Sequence, residues 1–208
     1  VLDAAARRVL DAPLDRMAGV LDRPGISPDR LTAANLLLGL GSAVAAGLQA
    51  WIPALVLWLL CRLADGLDGP LARRRAARDG PADAGAGGFF DISADFVVYG
   101  STVVGVAVGA TSGHGEAWLP FLLVLLAYYV NGTAFLAFSS IAERAGRRLD
   151  DGRSLSFLGG LAEGTETVVV HSLWLLLPAL AGEIAWVWAA VVAVGAAHRT
   201  WSGYRLLR

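Results

Sequence analysis

Residues 52–73 read IPALVLWLLCRLADGLDGPLAR. The stretch is long enough, at 1.5 Å per residue, to cross a hydrocarbon core about 30 Å thick as a single helix. Its first ten residues, Ile52–Cys61, carry no charge, while Asp65 and Asp68 fall three apart near its end and so share one helical face. An aspartate at the centre of a membrane helix costs about 2.5–3.5 kcal/mol. Two on one face therefore point to a functional site rather than to packing.

The same pattern of apolar length recurs on both sides. Leu31–Leu48 precedes the stretch, and Phe89–Val108, Trp118–Phe138, Phe157–Leu177 and Ile184–His198 follow it. The last run is short, and Trp186, Trp188 and Trp201 are suited to anchoring it at the interfaces. Of the 208 residues 56% are hydrophobic and only 17% charged, with a mean hydropathy of +0.57. A soluble domain of this size usually carries more charge. The expected fold is therefore all-α and integral to a membrane: six transmembrane helices over residues 31–208, preceded by a juxtamembrane segment at residues 1–30.

The basic residues fix the orientation. All 17 are arginine. They lie before the first run (Arg7, Arg8, Arg16, Arg23, Arg30), within or just after the second (Arg62, Arg73, Arg74, Arg75, Arg78), after the fourth (Arg144, Arg147, Arg148, Arg153) and after the sixth (Arg199, Arg205, Arg208). The loops near Gln49, His114 and Gly182 have none. Positive residues concentrate on the cytoplasmic side, so both termini are expected there. A soluble helical bundle has no reason to sort its arginines by alternate loops. The net charge of −1 names no partner, and no nucleic-acid partner is expected. The single cysteine, Cys61, is read as a small packing residue.

In residues 1–30, Leu10, Leu14, Met17 and Leu21 recur at helical spacing beside arginines, the pattern of an amphipathic segment on the membrane surface, with Pro13 bending it or setting its start. Ser27 or Asp29 is placed to cap the first spanning helix. Gly80–Gly88 reads as a flexible loop, and residues 141–156 as a second cytoplasmic loop.

The third run carries its own pair of acids, Asp91 and Asp95, four apart. The second run descends toward the cytoplasm and the third returns, so Asp65 and Asp95 should share one depth, Asp68 and Asp91 another. Such a carboxylate cage, open to the cytoplasm, suits Mg²⁺ or Mn²⁺, which take hard oxygen ligands and bind together with substrate phosphates.

Asp65 to Arg73 reads D-x2-D-G-x2-A-R, and Gly87, Asp91 and Asp95 then read G-x3-D-x3-D. This resembles the signature of the CDP-alcohol phosphotransferase (phosphatidyltransferase) family, D-x2-D-G-x2-A-R-x8-G-x3-D-x3-D. The segment Pro28-Asp29-Arg30-Leu31-Thr32 is similar to the family's P-[DN]-x-[LVI]-T. The spacer between Arg73 and Gly87 holds 13 residues where the family usually has 8, but the excess falls in the Gly/Ala/Pro loop, where insertions are tolerated. Pro70, inside the motif, is expected to kink its helix and free the Gly66 carbonyl.

The resemblance implies transfer of a substituted phosphate, with phosphatidyl from CDP-diacylglycerol as the leading case, to the hydroxyl of a small alcohol with release of CMP. It implies two metal ions (Mg²⁺ or Mn²⁺) held by Asp65, Asp68 and Asp91, with Asp95 contributing to the second and serving as general base. Gly69 and Ala72 leave room for the nucleotide, and Arg73 offers paired donors to phosphate. Asp29 and Thr32 join the donor-binding set by similarity alone. The implied setting is phospholipid biosynthesis at a bacterial inner membrane, in contact with membrane lipids and with the active site facing the cytoplasm. Homodimers are common among such proteins, and the sequence leaves oligomeric state open.

Elsewhere, Glu163 and Glu166 either line the acceptor pocket or pair with Arg147, Arg148 or Arg153, and His171 is read as a buried hydrogen-bonded residue. Tyr128, Tyr129 and Asn131 are read as polar packing between helices. Three rival functions weigh against the leading one. A membrane prenyltransferase would share the metal logic but not the D-G-x2-A-R segment. A cation transporter would spread its acids through the membrane depth. An inactive binding homologue would not need four intact aspartates. Within the leading reading, a CDP-linked polar alcohol is the alternative donor.

Overall fold

The computed structural model describes residues 2–80, 85–145 and 164–208, with side chains from Val9 onward. Among these every regular element is helical: α1 (Leu2–Leu21), α2 (Pro28–Gly47), α3 (Trp51–Asp79), α4 (Ala86–His114), α5 (Leu119–Arg144), α6 (Gly164–Leu176) and α7 (Ala181–Leu207), with a 3-10 turn at Pro178–Leu180 before α7. Three of them, α4, α5 and the turn with α7, are long and apolar enough to cross a membrane by composition alone.

Among the described residues helices occupy the expected apolar runs, several with different limits, and residues 157–163 of the fifth run lie outside the described residues. The helix of the opening stretch runs on to Asp79, because its arginine-rich tail is held by α1: Asp15 accepts from Arg74 at 2.8 and 2.6 Å, and Asp22 from Arg75 Nε at 3.0 Å and Arg78 at 2.6 Å. That helix passes through Pro70 without a break. Pro13 lies inside α1 rather than at its start. Ala86–Gly88 belong to α4, not to the preceding loop, and residues 141–144 complete α5. The last helix extends nine residues past His198, because Arg199 is buried against α5, donating to Asn131 Oδ1 at 2.8 Å, instead of ending the helix in solvent. Ser27, not Asp29, caps α2, accepting from Arg30 N at 3.2 Å.

Packing that positions the site centres on α2, which lies along both α3 and α4. A Cβ on Gly105 would fall on the Ala43 carbonyl, and one on Gly109 on that of Ala46, so glycine permits the α2–α4 approach. Gly39 of α2 meets Val98 and Cys61 in the same way. Below this junction Trp58, Val98, Val103, Phe121 and Trp174 form a buried core shared with α5, α6 and α7. The α1 helix lies across α3, with Leu14 against Gly66, and exposes Val9, Leu10, Met17 and Val20 on its outer side. The expected stripe of Leu10, Leu14, Met17 and Leu21 is thereby divided: Leu10 and Met17 are exposed with Val9 and Val20, whereas Leu14 turns inward because Gly66 leaves room for it on α3.

Candidate metal and catalytic site

Three helices converge on the acids. Asp65 and Asp68 stand on α3, Asp91 and Asp95 on α4, and α2 closes the third side. Asp65, Asp68 and Asp91 each offer an oxygen, all within 4.8 Å of one another. Three carboxylates so close repel one another without a cation or shared proton. An Mg²⁺ ion sits about 2.1 Å from each ligand, so its ligand oxygens stand a few ångströms apart. The all-oxygen donor set fits such an ion, and Asp91 Oδ1 is buried with no hydrogen-bond partner among the described residues. The residues present therefore suit a divalent cation.

Around this triad lies a set of hydrogen bonds. Thr32 Oγ1 donates to Asp68 Oδ2 at 2.9 Å, both residues being buried. One turn along α2, Asn35 Nδ2 donates to Asp65 Oδ1 at 3.2 Å. Asn35 Oδ1 accepts from Cys61 Sγ at 2.8 Å and from an Arg62 guanidinium nitrogen at 2.7 Å. Arg62 also donates to Asp65 Oδ2 at 3.4 Å, to Asp95 Oδ1 at 3.2 Å and to the Tyr99 hydroxyl at 2.8 Å. Arg62 thus links Asp65 with Asp95, the pair expected at one depth, while Asp91 approaches Asp65 as well as Asp68. Asp95 stands beside the triad, tied to Arg62, rather than within it.

The other expected residues are placed less tightly. Arg73 is exposed and its guanidinium lies over Gly69, 3.3 Å from where a Cβ would be. Ala72 and Asp29 are exposed on their helices. His171 is wholly buried, hydrogen-bonded through Nε2 to the Tyr128 hydroxyl at 2.9 Å and ringed by Trp58, Tyr99 and Trp174. Tyr128 in turn accepts from Trp188 Nε1 at 2.7 Å. Tyr129, by contrast, points outward and is exposed, so it does not pack between helices. Glu166 is half-buried at the start of α6. Glu163, Arg147, Arg148 and Arg153 lie outside the described residues.

Sequence reasoning missed Asn35, Arg62 and Tyr99. The signal was there: Arg62 precedes Asp65 by three, Tyr99 follows Asp95 by four, and Asn35 follows Thr32 by three, so each extends the face that carries a recognised residue. Arg62 was grouped with the topology-setting arginines, although it lies six residues, about 9 Å, farther into the helix than Asp68.

The chain is similar to known proteins over most of its length. The family model for CDP-alcohol phosphatidyltransferase matches residues 26–197. Inner membrane protein YnjF of Escherichia coli (strain K12) is 39% identical over 201 residues, covering 94% of this chain and 91% of that protein. The crystal structure of the Mycobacterium tuberculosis phosphatidylinositol phosphate synthase with CDP-DAG bound matches with a TM-score of 0.70 and 18% identity, covering 92% of this chain and 93% of that one. At that identity the likeness is one of fold.

Proposed function

The chain belongs to the CDP-alcohol phosphatidyltransferase family, and on that premise we propose that this enzyme transfers a phosphatidyl group from CDP-diacylglycerol to the hydroxyl of a small alcohol, releasing CMP, in phospholipid biosynthesis. The observation that carries the reading is the convergence of Asp65, Asp68 and Asp91, with Asp95 alongside, on helices that carry the full D-x2-D-G-x2-A-R and G-x3-D-x3-D pattern.

In this reading Asp65, Asp68 and Asp91 hold the divalent ions (Mg²⁺ or Mn²⁺, two of them, with Asp95 assisting the second). Divalent ions held there would supply the positive charge that offsets the donor diphosphate and the departing CMP. Asp95 accepts the proton of the acceptor hydroxyl as its oxygen attacks the phosphorus that bears the diacylglycerol. The new P–O bond forms as the P–O bond to CMP breaks, and CMP leaves with the bonding electrons. Arg73, over Gly69 at the end of the cage, offers paired donors to phosphate, and Ala72 leaves room beside it. Asp29 and Thr32 complete the donor side.

The arginine distribution supports six spans with both termini and the cage mouth on the cytoplasmic side. The relative's designation as an inner membrane protein supports the same membrane for this chain.

The test is CMP release by the purified protein in detergent, with Mg²⁺ or Mn²⁺ and CDP-diacylglycerol, across a panel of alcohols. Release with one alcohol establishes the reaction and names the acceptor. Absence of release with every alcohol, from folded and metal-binding protein, overturns the CDP-diacylglycerol assignment and turns the search to CDP-linked polar alcohols.

A further inference from the structure

Arg62 lies outside the sequence pattern that defines the site, yet it is the most connected side chain there. Its side chain is 7% exposed. One guanidinium nitrogen reaches Asp65, Asp95 and Tyr99, and the other reaches Asn35 and Cys61 Sγ at 3.3 Å. The guanidinium carbon lies 5.0 Å from the Trp58 ring centre and 4.9 Å from that of Tyr99. A cation held by two aromatic faces and an amide oxygen cannot swing away to solvent. Trp58 is itself fixed by its bond to Ser172 at 3.1 Å, and Tyr99 by its edge against His171.

We propose that Arg62 is the positioning residue of this site: a fixed internal cation that anchors Asp95 through Oδ1, leaving Oδ2 to face the acceptor hydroxyl, and that offsets part of the cage's negative charge from its deep side. The inference rests on the transferase reading, in which Asp95 receives the acceptor's proton. A freely rotating carboxylate would meet the acceptor in the right geometry only part of the time. Arg62 removes that freedom without using a divalent ion to do so. Its second consequence runs opposite to a merely structural role. A positive charge bonded to Asp65 competes with cations for the cage, so removing it should strengthen, not weaken, divalent-ion binding.

The two halves separate experimentally. Arg62→Gln and Arg62→Lys are prepared beside the wild type, with circular dichroism to establish folding. Mn²⁺ binding is read without substrate by electron paramagnetic resonance, and CMP release is read at saturating Mg²⁺. For Arg62→Gln the expectation is tighter Mn²⁺ binding together with a kcat lower by about 10²-fold, the scale of a lost general-base contribution, and an unchanged KM for the CDP donor. Arg62→Lys keeps the charge but not the fork that bridges Asp65, Asp95 and Asn35. It should retain wild-type Mn²⁺ affinity and still lose kcat. Wild-type kcat in both variants, or weaker Mn²⁺ binding in folded Arg62→Gln, overturns the proposal. If the wild type itself releases no CMP, the transferase reading has failed separately, and the Mn²⁺ comparison still decides whether Arg62 is the cage's counter-cation.

Discussion

Replacing Thr32 with valine removes one hydrogen bond and almost no volume. The Thr32 hydroxyl donates to Asp68 Oδ2 at 2.9 Å, and its other neighbour, the Pro28 carbonyl, stands at 3.3 Å. Thr32 is 3% exposed and Asp68 7%, so water does not readily take the hydroxyl's place. A hydrogen bond to a charged group contributes about 1.5–3 kcal/mol. Each 1.4 kcal/mol is about a factor of ten. If that energy orients Asp68 for an ion, Thr32→Val should weaken Mn²⁺ binding by about 10- to 100-fold, the range typical of partners that orient a metal ligand. Titrating Mn²⁺ into the purified variant measures this directly. CMP release should then recover most of its rate at metal concentrations raised by the same factor, and Thr32→Ser should behave as wild type. Unchanged Mn²⁺ affinity in a folded Thr32→Val protein would refute the reasoning and leave Thr32 to the donor alone.

Asn35→Leu strips partners from Asp65, Cys61 and Arg62 at once and leaves buried donors unmatched; a loss of about 1–3 kcal/mol in stability is expected, seen as a lower thermal midpoint in detergent. Gly109→Leu drives a side chain into the Ala46 carbonyl and the Trp51 ring, so α2 and α4 must part; it should destabilise by at least about 1–3 kcal/mol, measured the same way, while Gly100→Ala, which meets nothing within 4 Å, should not. Acid should release α1 from α3. Hydrogen bonds from Arg74 hold the Asp15 carboxyl below its ordinary value of 3.8, and those from Arg75 and then Arg78 do the same for Asp22. This contribution is fully present above 3.8 and is lost as pH falls through the lower folded values. Spin labels on α1 and α3 should therefore report a fixed separation at pH 5 that broadens as the pH is taken progressively below 3.8, and a separation unchanged throughout would show that Leu14 and its neighbours hold α1 without the ion pairs.

The cage was legible in the sequence because helical spacing alone carries it. Intervals of three and four place each acid pair on one face, and opposed chain directions match their depths. What escaped the reading were side chains whose role depends on a neighbour far away in sequence. Arg62 looks like any cytoplasmic arginine until α2 supplies Asn35 and α4 supplies Asp95 and Tyr99. Helix ends were misplaced for the same reason. Arg199 reads as a terminus but is buried against Asn131, and the arginines after Arg73 read as loop charge but are neutralised by α1. Composition placed Ala86–Gly88 in a loop, whereas the helix begins right after Gly85, whose positive φ of 109° suits glycine. His171 was read correctly because a lone histidine among apolar residues most often satisfies itself by a hydrogen bond, here with Tyr128.

The most direct test of the account compares wild type with Asp91→Asn and Asp95→Asn for Mn²⁺ binding and for CMP release from CDP-diacylglycerol in the presence of the accepted alcohol. The account predicts that Asp91→Asn loses both, and that Asp95→Asn loses CMP release while still binding Mn²⁺ through Asp65, Asp68 and Asp91. Wild-type CMP release from Asp95→Asn, or undiminished Mn²⁺ binding by Asp91→Asn, would contradict it.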